Sequence, residues 1–75
     1  MKSVEQIIGK LPELVQERFK LVSADENETV TLLVLAHQNG IGLFKVVEYD
    51  HSRDTLKMVT IYREEVEAMA KHLGE

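Results

Sequence analysis

The segment Asp50-His51-Ser52-Arg53-Asp54 holds, in consecutive positions, the residue types of a hydrolytic triad. A hydroxyl nucleophile needs an imidazole base within hydrogen-bond reach and a carboxylate that orients the base. Those partners normally converge from distant segments, because close neighbours along a chain rarely meet in that geometry. Asp and Ser are also turn residues, since their side chains bond nearby backbone amides. The segment therefore reads as a polar hairpin loop, and no catalytic residue is assigned.

Other chemistry-bearing groups lead to the same place. Glu64, Glu65 and Glu67 could do acid–base work, but they stand where a helix begins, and the positive end of a helix favours carboxylates. The acidic run Asp25-Glu26-Asn27-Glu28 lacks the ligand spacing and the glycine of a calcium loop. His37, His51 and His72 fall at no metal-ligand spacing, and cysteine is absent, which removes disulfides, thiolate zinc sites and thiol redox chemistry. Gly40-Ile41-Gly42 precedes a strand-like run rather than a helix, so it is no phosphate loop. The expectation is a protein without cofactor or metal that is not an enzyme.

Charge narrows the partners. Nine Lys+Arg stand against 13 Asp+Glu, a net charge of −4, and the positives are scattered. Phosphate backbones are bound through clustered Lys and Arg, so nucleic acid is an unfavoured partner. Tyr49 and Tyr62 could stack bases on a sheet, but they have no basic surround. No run approaches the roughly 18 apolar residues of a membrane span, and the start MKSVEQIIGK is amphipathic rather than a signal peptide. A cytoplasmic location with no membrane attachment is expected.

The elements that must position these groups follow from periodicity. At 75 residues one α+β domain is expected over 1–75, with about 60% of its unfolded surface buried and a thin stability margin. Val4, Ile7, Ile8, Leu11, Val15, Phe19 and Val22 recur at three- and four-residue steps, predicting an amphipathic helix over 3–22. Ser3 and Gln6 fit a capping box. Gly9 and Pro12 interrupt the helix; because the apolar phase runs on, a kink is expected rather than a split. Three β-rich runs follow, at 29–37, 41–50 and 55–62, predicting a three-stranded antiparallel meander. A second helix is expected over 63–73, with Val66, Met69, Ala70 and Leu73 as its stripe and Gly74 as its stop.

Asn39-Gly40 suits a two-residue type I′ turn, which fixes a register. It sets Ala36 against Leu43, Val34 against Lys45, Leu32 against Val47 and Val30 against Tyr49. A four-residue loop after Asp50 sets Glu48 against Lys57, Val46 against Val59, Phe44 against Ile61, Val47 against Met58 and Tyr49 against Leu56. Both sheet faces come out apolar, more than a monomer usually exposes. Either the two helices split between the faces, or one face meets another chain. Lys45 lies mid-strand, so its ammonium either finds a partner's carboxylate or runs out along its stem to water. The expected contact face comprises Leu32, Val34, Leu43, Lys45, Val47, Tyr49, Met58 and Tyr62.

The stretch Val59-Thr-Ile-Tyr-Arg-Glu-Glu-Val66 resembles the last strand and helix start of the carbon storage regulator RNA-binding proteins. Those proteins lack a long N-terminal helix and are basic, so no residue role is carried over. A helix followed by strands also resembles Sm-like small barrels, and a small Sm/OB-like barrel with flanking helices is the alternative fold. The functional expectation is a small non-catalytic protein-interaction or regulatory module, a homodimer or partner-binding protein. A nucleic-acid-binding regulator and a small-ligand sensor with a pocket between sheet and first helix are the competing readings.

Overall fold

A computed structural model of the chain describes residues 2–73. Its elements run α1 Val4–Gly9, α2 Glu13–Arg18, β1 Phe19–Glu26, β2 Val30–His37, β3 Leu43–Asp50, β4 Thr55–Tyr62 and α3 Arg63–Leu73. The class is α+β as expected, but the sheet has four antiparallel strands in the order β1-β2-β3-β4. It is an open sheet, with no pairing of β1 to β4, so the small-barrel alternative falls away.

The expected single helix over 3–22 is three elements. Its start is as read: the Ser3 amide donates to Gln6 Oε1 at 2.8 Å, and the Gln6 amide donates to Ser3 Oγ at 3.2 Å. Pro12 then splits the helix instead of kinking it. Lacking an N–H, Pro12 cannot continue the ladder of α1, and its extended backbone (φ −55°, ψ 144°) makes it the N-cap of α2. Its carbonyl accepts from the amides of Val15 and Gln16, at 3.0 and 3.1 Å. Phe19 leaves the helix with φ −118° and ψ 147° and starts a strand.

That strand, β1, consumes the last expected helical residues and most of the expected acidic connection. Its residues are exposed after a half-buried Phe19, so no apolar alternation marks it. The sheet itself needs it. Without β1, the apolar strand β2 would present a full row of unpaired backbone groups, the state that edge strands must avoid. β1 satisfies that row, while its own outer edge carries a bulge between Leu21 and Ser23 that disrupts further pairing. Asn27 closes the hairpin, its Oδ1 accepting from the amides of Thr29 and Val30, both at 2.9 Å.

The two later hairpins differ in how they match expectation. In the β3–β4 pair every expected contact is present, including Glu48↔Lys57, Val46↔Val59 and Val47↔Met58. In the β2–β3 pair the register is displaced by one residue: Ala36 faces Phe44, Val34 faces Val46, Leu33 faces Val47 and Leu32 faces Glu48. The connection is longer than a two-residue turn, with strands ending at His37 and resuming at Leu43. Its left-handed positions are Gly40 (φ 65°) and Gly42 (φ 74°), and Asn39 is not among them. The carbonyl of Gly42 accepts from the Arg63 amide at 2.7 Å, so the loop also anchors the start of α3. Because side chains alternate, this single step turns all of β2 over relative to β3.

The core lies between α1, α2 and one sheet face. Ile7, Leu11 and Val15, at four-residue steps, pack on Leu33, Leu35, Val47 and Tyr49, and all are buried, as is Thr31. The Cα envelope is only 15 Å along its shortest axis. A helix layer on a sheet occupies about 10 Å, so no third layer fits. The side chains of the expected α3 stripe, Val66, Met69, Ala70 and Leu73, and the stop at Gly74 lie outside what the structure describes.

Candidate functional site

Two regions remain once the core is assigned: a polar cleft at one end of the sheet, and the sheet face that carries no helix layer.

The cleft forms where α1 passes over the β3–β4 loop. Lys2, Gln6, Tyr49, His51 and Asp54 line a cavity of about 370 Å³. Gln6 comes from the first turn of α1, and Lys2 precedes the N-cap Ser3. Tyr49 ends β3, and the loop supplies His51 and Asp54. Asp54 sits in a left-handed conformation (φ 53°), which Asp tolerates better than most residues. The Tyr49 hydroxyl donates to Asp54 Oδ1, and Lys10 Nζ lies 3.6 Å from the same oxygen. Lys10 Nζ also stands 5.9 Å from the centroid of the Tyr49 ring.

These contacts set the protonation states. Donation to Asp54, burial and the Asp54 charge push the Tyr49 hydroxyl up to about 12. The bond from Tyr49, followed by the charge of Lys10, holds the Asp54 carboxyl below its ordinary value. The cleft thus sets a phenol that resists ionisation against a carboxyl that resists protonation. His51 Nε2 lies 2.7 Å from the Thr31 hydroxyl, and its Nδ1 is buried with no hydrogen-bond partner.

The triad-like residue types are not gathered as a triad. Ser52 Oγ donates to Asp50 Oδ1 at 2.7 Å, and the same oxygen accepts from the amides of Ser52 and Arg53. These bonds, that of the Ser52 hydroxyl first, lower the Asp50 carboxyl below its ordinary value. Ser52 is thus occupied in turn chemistry, while the His51 imidazole is held by Thr31. Among the described residues, no three His, Asp or Glu side chains gather as metal ligands. No described helix is long and apolar enough to cross a membrane.

The second region is the reverse of the sheet. Register places Val30, Leu32, Val34 and Ala36 of β2 beside Phe44, Val46, Glu48 and Asp50 of β3, and beside Thr55, Lys57, Val59 and Ile61 of β4. β1 adds Lys20, Ser23 and Asp25 at its border. None of these residues is buried. Val59 is 54% exposed and Leu32 is 40% exposed, although neighbours on a flat sheet shadow one another.

The eight residues expected to share one contact face are therefore divided. Leu32 and Val34 lie on the open face. Val47 and Tyr49 are buried under the helices, at 0% and 2% exposure, and Met58 is half-buried against the same core. Lys45, Leu43 and Tyr62 share the helix side, at its far end. The Lys45 ammonium donates to Thr60 Oγ1 at 2.6 Å and lies 5.6 Å from the Phe19 ring centroid, so it needs no partner's carboxylate. Phe44, Val46, Val59 and Ile61 were legible as one group in the β3–β4 pairing. Their neighbours on β2 were not, since the one-residue step had turned them over.

Comparison of the chain with family models, curated proteins and solved structures finds no match.

Proposed function

We propose that this chain is a non-catalytic binding module that pairs with a second copy of itself through the open sheet face. The observation that carries the reading is the block Val34, Ala36, Phe44, Val46, Val59 and Ile61, contiguous across the three C-terminal strands and not buried. A solvated sheet face normally alternates to polar residues, and this one does so only along β1 and at the end of β3 and β4 that carries Glu48, Asp50, Thr55 and Lys57.

Charge at those ends favours a second copy as the occupant. On β1, Lys20 stands in the row of Ala36, Phe44 and Ile61, while Asp25 stands in the row of Leu32 and Glu48. A two-fold axis between the sheets and perpendicular to the strands reverses strand direction. It lays Lys20 of each copy over the Asp25 end of the other, and the Val34, Val46 and Val59 row over its own copy, an isologous contact. The face spans roughly 27 by 19 Å for four strands of eight residues, or about 500 Å² per copy. Two such faces total about 1,000 Å², the lower bound for a specific interface, so the dimer should exchange at micromolar concentrations. An assembly that loosens in that range suits an adaptor or regulator. The acidic border of Asp25, Glu48 and Asp50 disfavours nucleic acid on this face.

Val46→Glu tests the proposal, because Val46 sits on a central strand between Val34 and Val59. Sedimentation equilibrium should give a dimer for the unmodified chain at tens of micromolar and a folded monomer for the variant. A monomeric unmodified chain, or a variant that still dimerises, overturns it. Met58→Glu is the wrong probe, because Met58 packs against the core and its loss would unfold the monomer.

A further inference from the structure

The chain has two asparagines, Asn27 and Asn39, and the fold holds them differently. Asn27 Oδ1 is engaged three times: the amides of Thr29 and Val30 donate to it, both at 2.9 Å, and the Thr29 hydroxyl donates at 3.1 Å. Its side chain is thereby fixed toward the start of β2, and Glu28, which follows it, carries a side chain of its own. Asn39 stands in the loop between His37 and Leu43, where residues 38–41 are all exposed. Among the described residues it bonds through its backbone amide, which donates to His37 Nδ1 at 3.2 Å, and its side-chain amide is uncommitted.

The neighbour of Asn39 supplies the second half of the chemistry. The side-chain carbonyl carbon of an asparagine lies one five-membered ring away from the backbone nitrogen of the next residue. A Cβ on that residue crowds the attack, whereas glycine leaves it open and bends readily into the ring geometry. At Gly40 (φ 65°) a Cβ would meet nothing within 4 Å, so the loop itself adds no obstruction. One contact opposes the step: the Gly40 amide donates to the His37 carbonyl at 3.1 Å. It is a single bond in an exposed loop, of the kind that opens locally while the strands stay paired. At Asn27 three bonds that close the β1–β2 hairpin would have to break together.

We propose that Asn39 is a site of spontaneous deamidation, a slow modification from which the fold protects Asn27. The Gly40 nitrogen, losing its proton to solvent, attacks Asn39 Cγ; a C–N bond forms, and the side-chain nitrogen leaves as ammonia. Water then opens the cyclic imide at one of its two carbonyls, giving aspartate or isoaspartate, and no oxidant or reductant is consumed. Either product adds a negative charge to a chain whose net charge is already −4. Isoaspartate also adds a methylene to the main chain. That insertion falls between the end of β2 and the start of β3, outside the strand ladder. It lies within the loop whose Gly42 carbonyl accepts from the Arg63 amide at 2.7 Å, so the start of α3 is the element it disturbs. The open-face block is not part of this site, and neither reading depends on the other.

The test follows the side-chain amide signals of both asparagines in the isotope-labelled full chain, incubated in mildly alkaline buffer. One sample is folded and one is unfolded in urea. The Asn39 signal should decay in the folded chain within about tenfold of its unfolded rate, the factor that one exposed hydrogen bond sets. The Asn27 signal should persist, and fragment masses should place the exchange of nitrogen for oxygen at residue 39. Gly40→Ala should slow the decay several-fold, and its urea sample reads this apart from any effect on folding. An Asn39 amide that survives folding while the unfolded chain converts overturns the proposal. So does loss of Asn27 at the same rate, or a Gly40→Ala chain that converts as fast as the unmodified one.

Discussion

The two faces of the sheet use the same strands and much the same apolar residues, yet only one is dry. On β2, Leu33 and Leu35 are buried at 0% and 3% exposure, while Leu32, one position away, is 40% exposed. On β3, Val47 is fully buried and adjacent Val46 is not. Residue type does not separate these pairs. The helix stripe does: Ile7, Leu11 and Val15 form one short apolar ridge, enough for a single face of the central strands. Where strands are apolar on both sides, the covering element decides which side becomes core, and the other must meet something else or remain wet.

The largest expected effect separates neighbours in sequence. Leu33→Ala removes a fully buried side chain and should cost about 2–5 kcal/mol in urea unfolding. Val34→Ala, on the open face, should cost the monomer under about 1 kcal/mol. Equal losses at low protein concentration would mean that both faces are packed within one chain.

A smaller effect tests the loop that sets which residues share a face. Gly42 lies at φ 74°, and a Cβ built there would stand 3.0 Å from the Arg63 Cβ. Gly42→Ala should therefore lose about 1–2 kcal/mol or slightly more. Gly40→Ala (φ 65°), with open space around it, should sit at the lower end of that range. A two-residue turn centred on Asn39-Gly40 would reverse the order, since Gly42 would then lie inside a strand.

The smallest effect concerns the helix-covered face at the cleft. Tyr49 ionises at about 12 in the folded chain against an ordinary 10.0. The folded state thus prefers the neutral phenol, and that contribution is complete below pH 10. As pH rises from 10 to 12 it is lost. The Asp54 carboxyl is shifted the other way, so its contribution is present above the ordinary carboxylate range and lost as pH falls through its lowered value. Tyr49→Phe should flatten the alkaline limb of a stability profile between pH 10 and about 12. A profile identical to that of the unmodified chain would mean the Tyr49–Asp54 bond does not form.

Legibility in the sequence follows the same division. The β3–β4 hairpin could be read because Glu48 and Lys57 supply a charge pair that only one register satisfies. The β2–β3 hairpin has no such marker: its residues are apolar on both sides, so either register gives plausible pairs. Asn39-Gly40 then pointed to the shorter turn, although Gly42 offers a second left-handed position. β1 was hidden because a solvated edge strand carries no alternation, and because Phe19 and Val22 happen to continue the helical stripe. The contents of the β3–β4 loop could be read as turn chemistry, since Asp50 and Ser52 lie at turn spacing. The cleft could not, because it depends on α1 crossing that loop, a contact between segments far apart in the chain.

The most direct measurement of the central claim is an isotope-filtered nuclear Overhauser experiment on a mixture of methyl-labelled and unlabelled chains. Only contacts between copies give signals there. The open-face dimer predicts cross-peaks from the methyl groups of Val34, Val46 and Val59, and none from buried Leu33 or Val47. Cross-peaks confined to Leu43 and the Tyr62 ring, or none at concentrations well above the micromolar range, would contradict it.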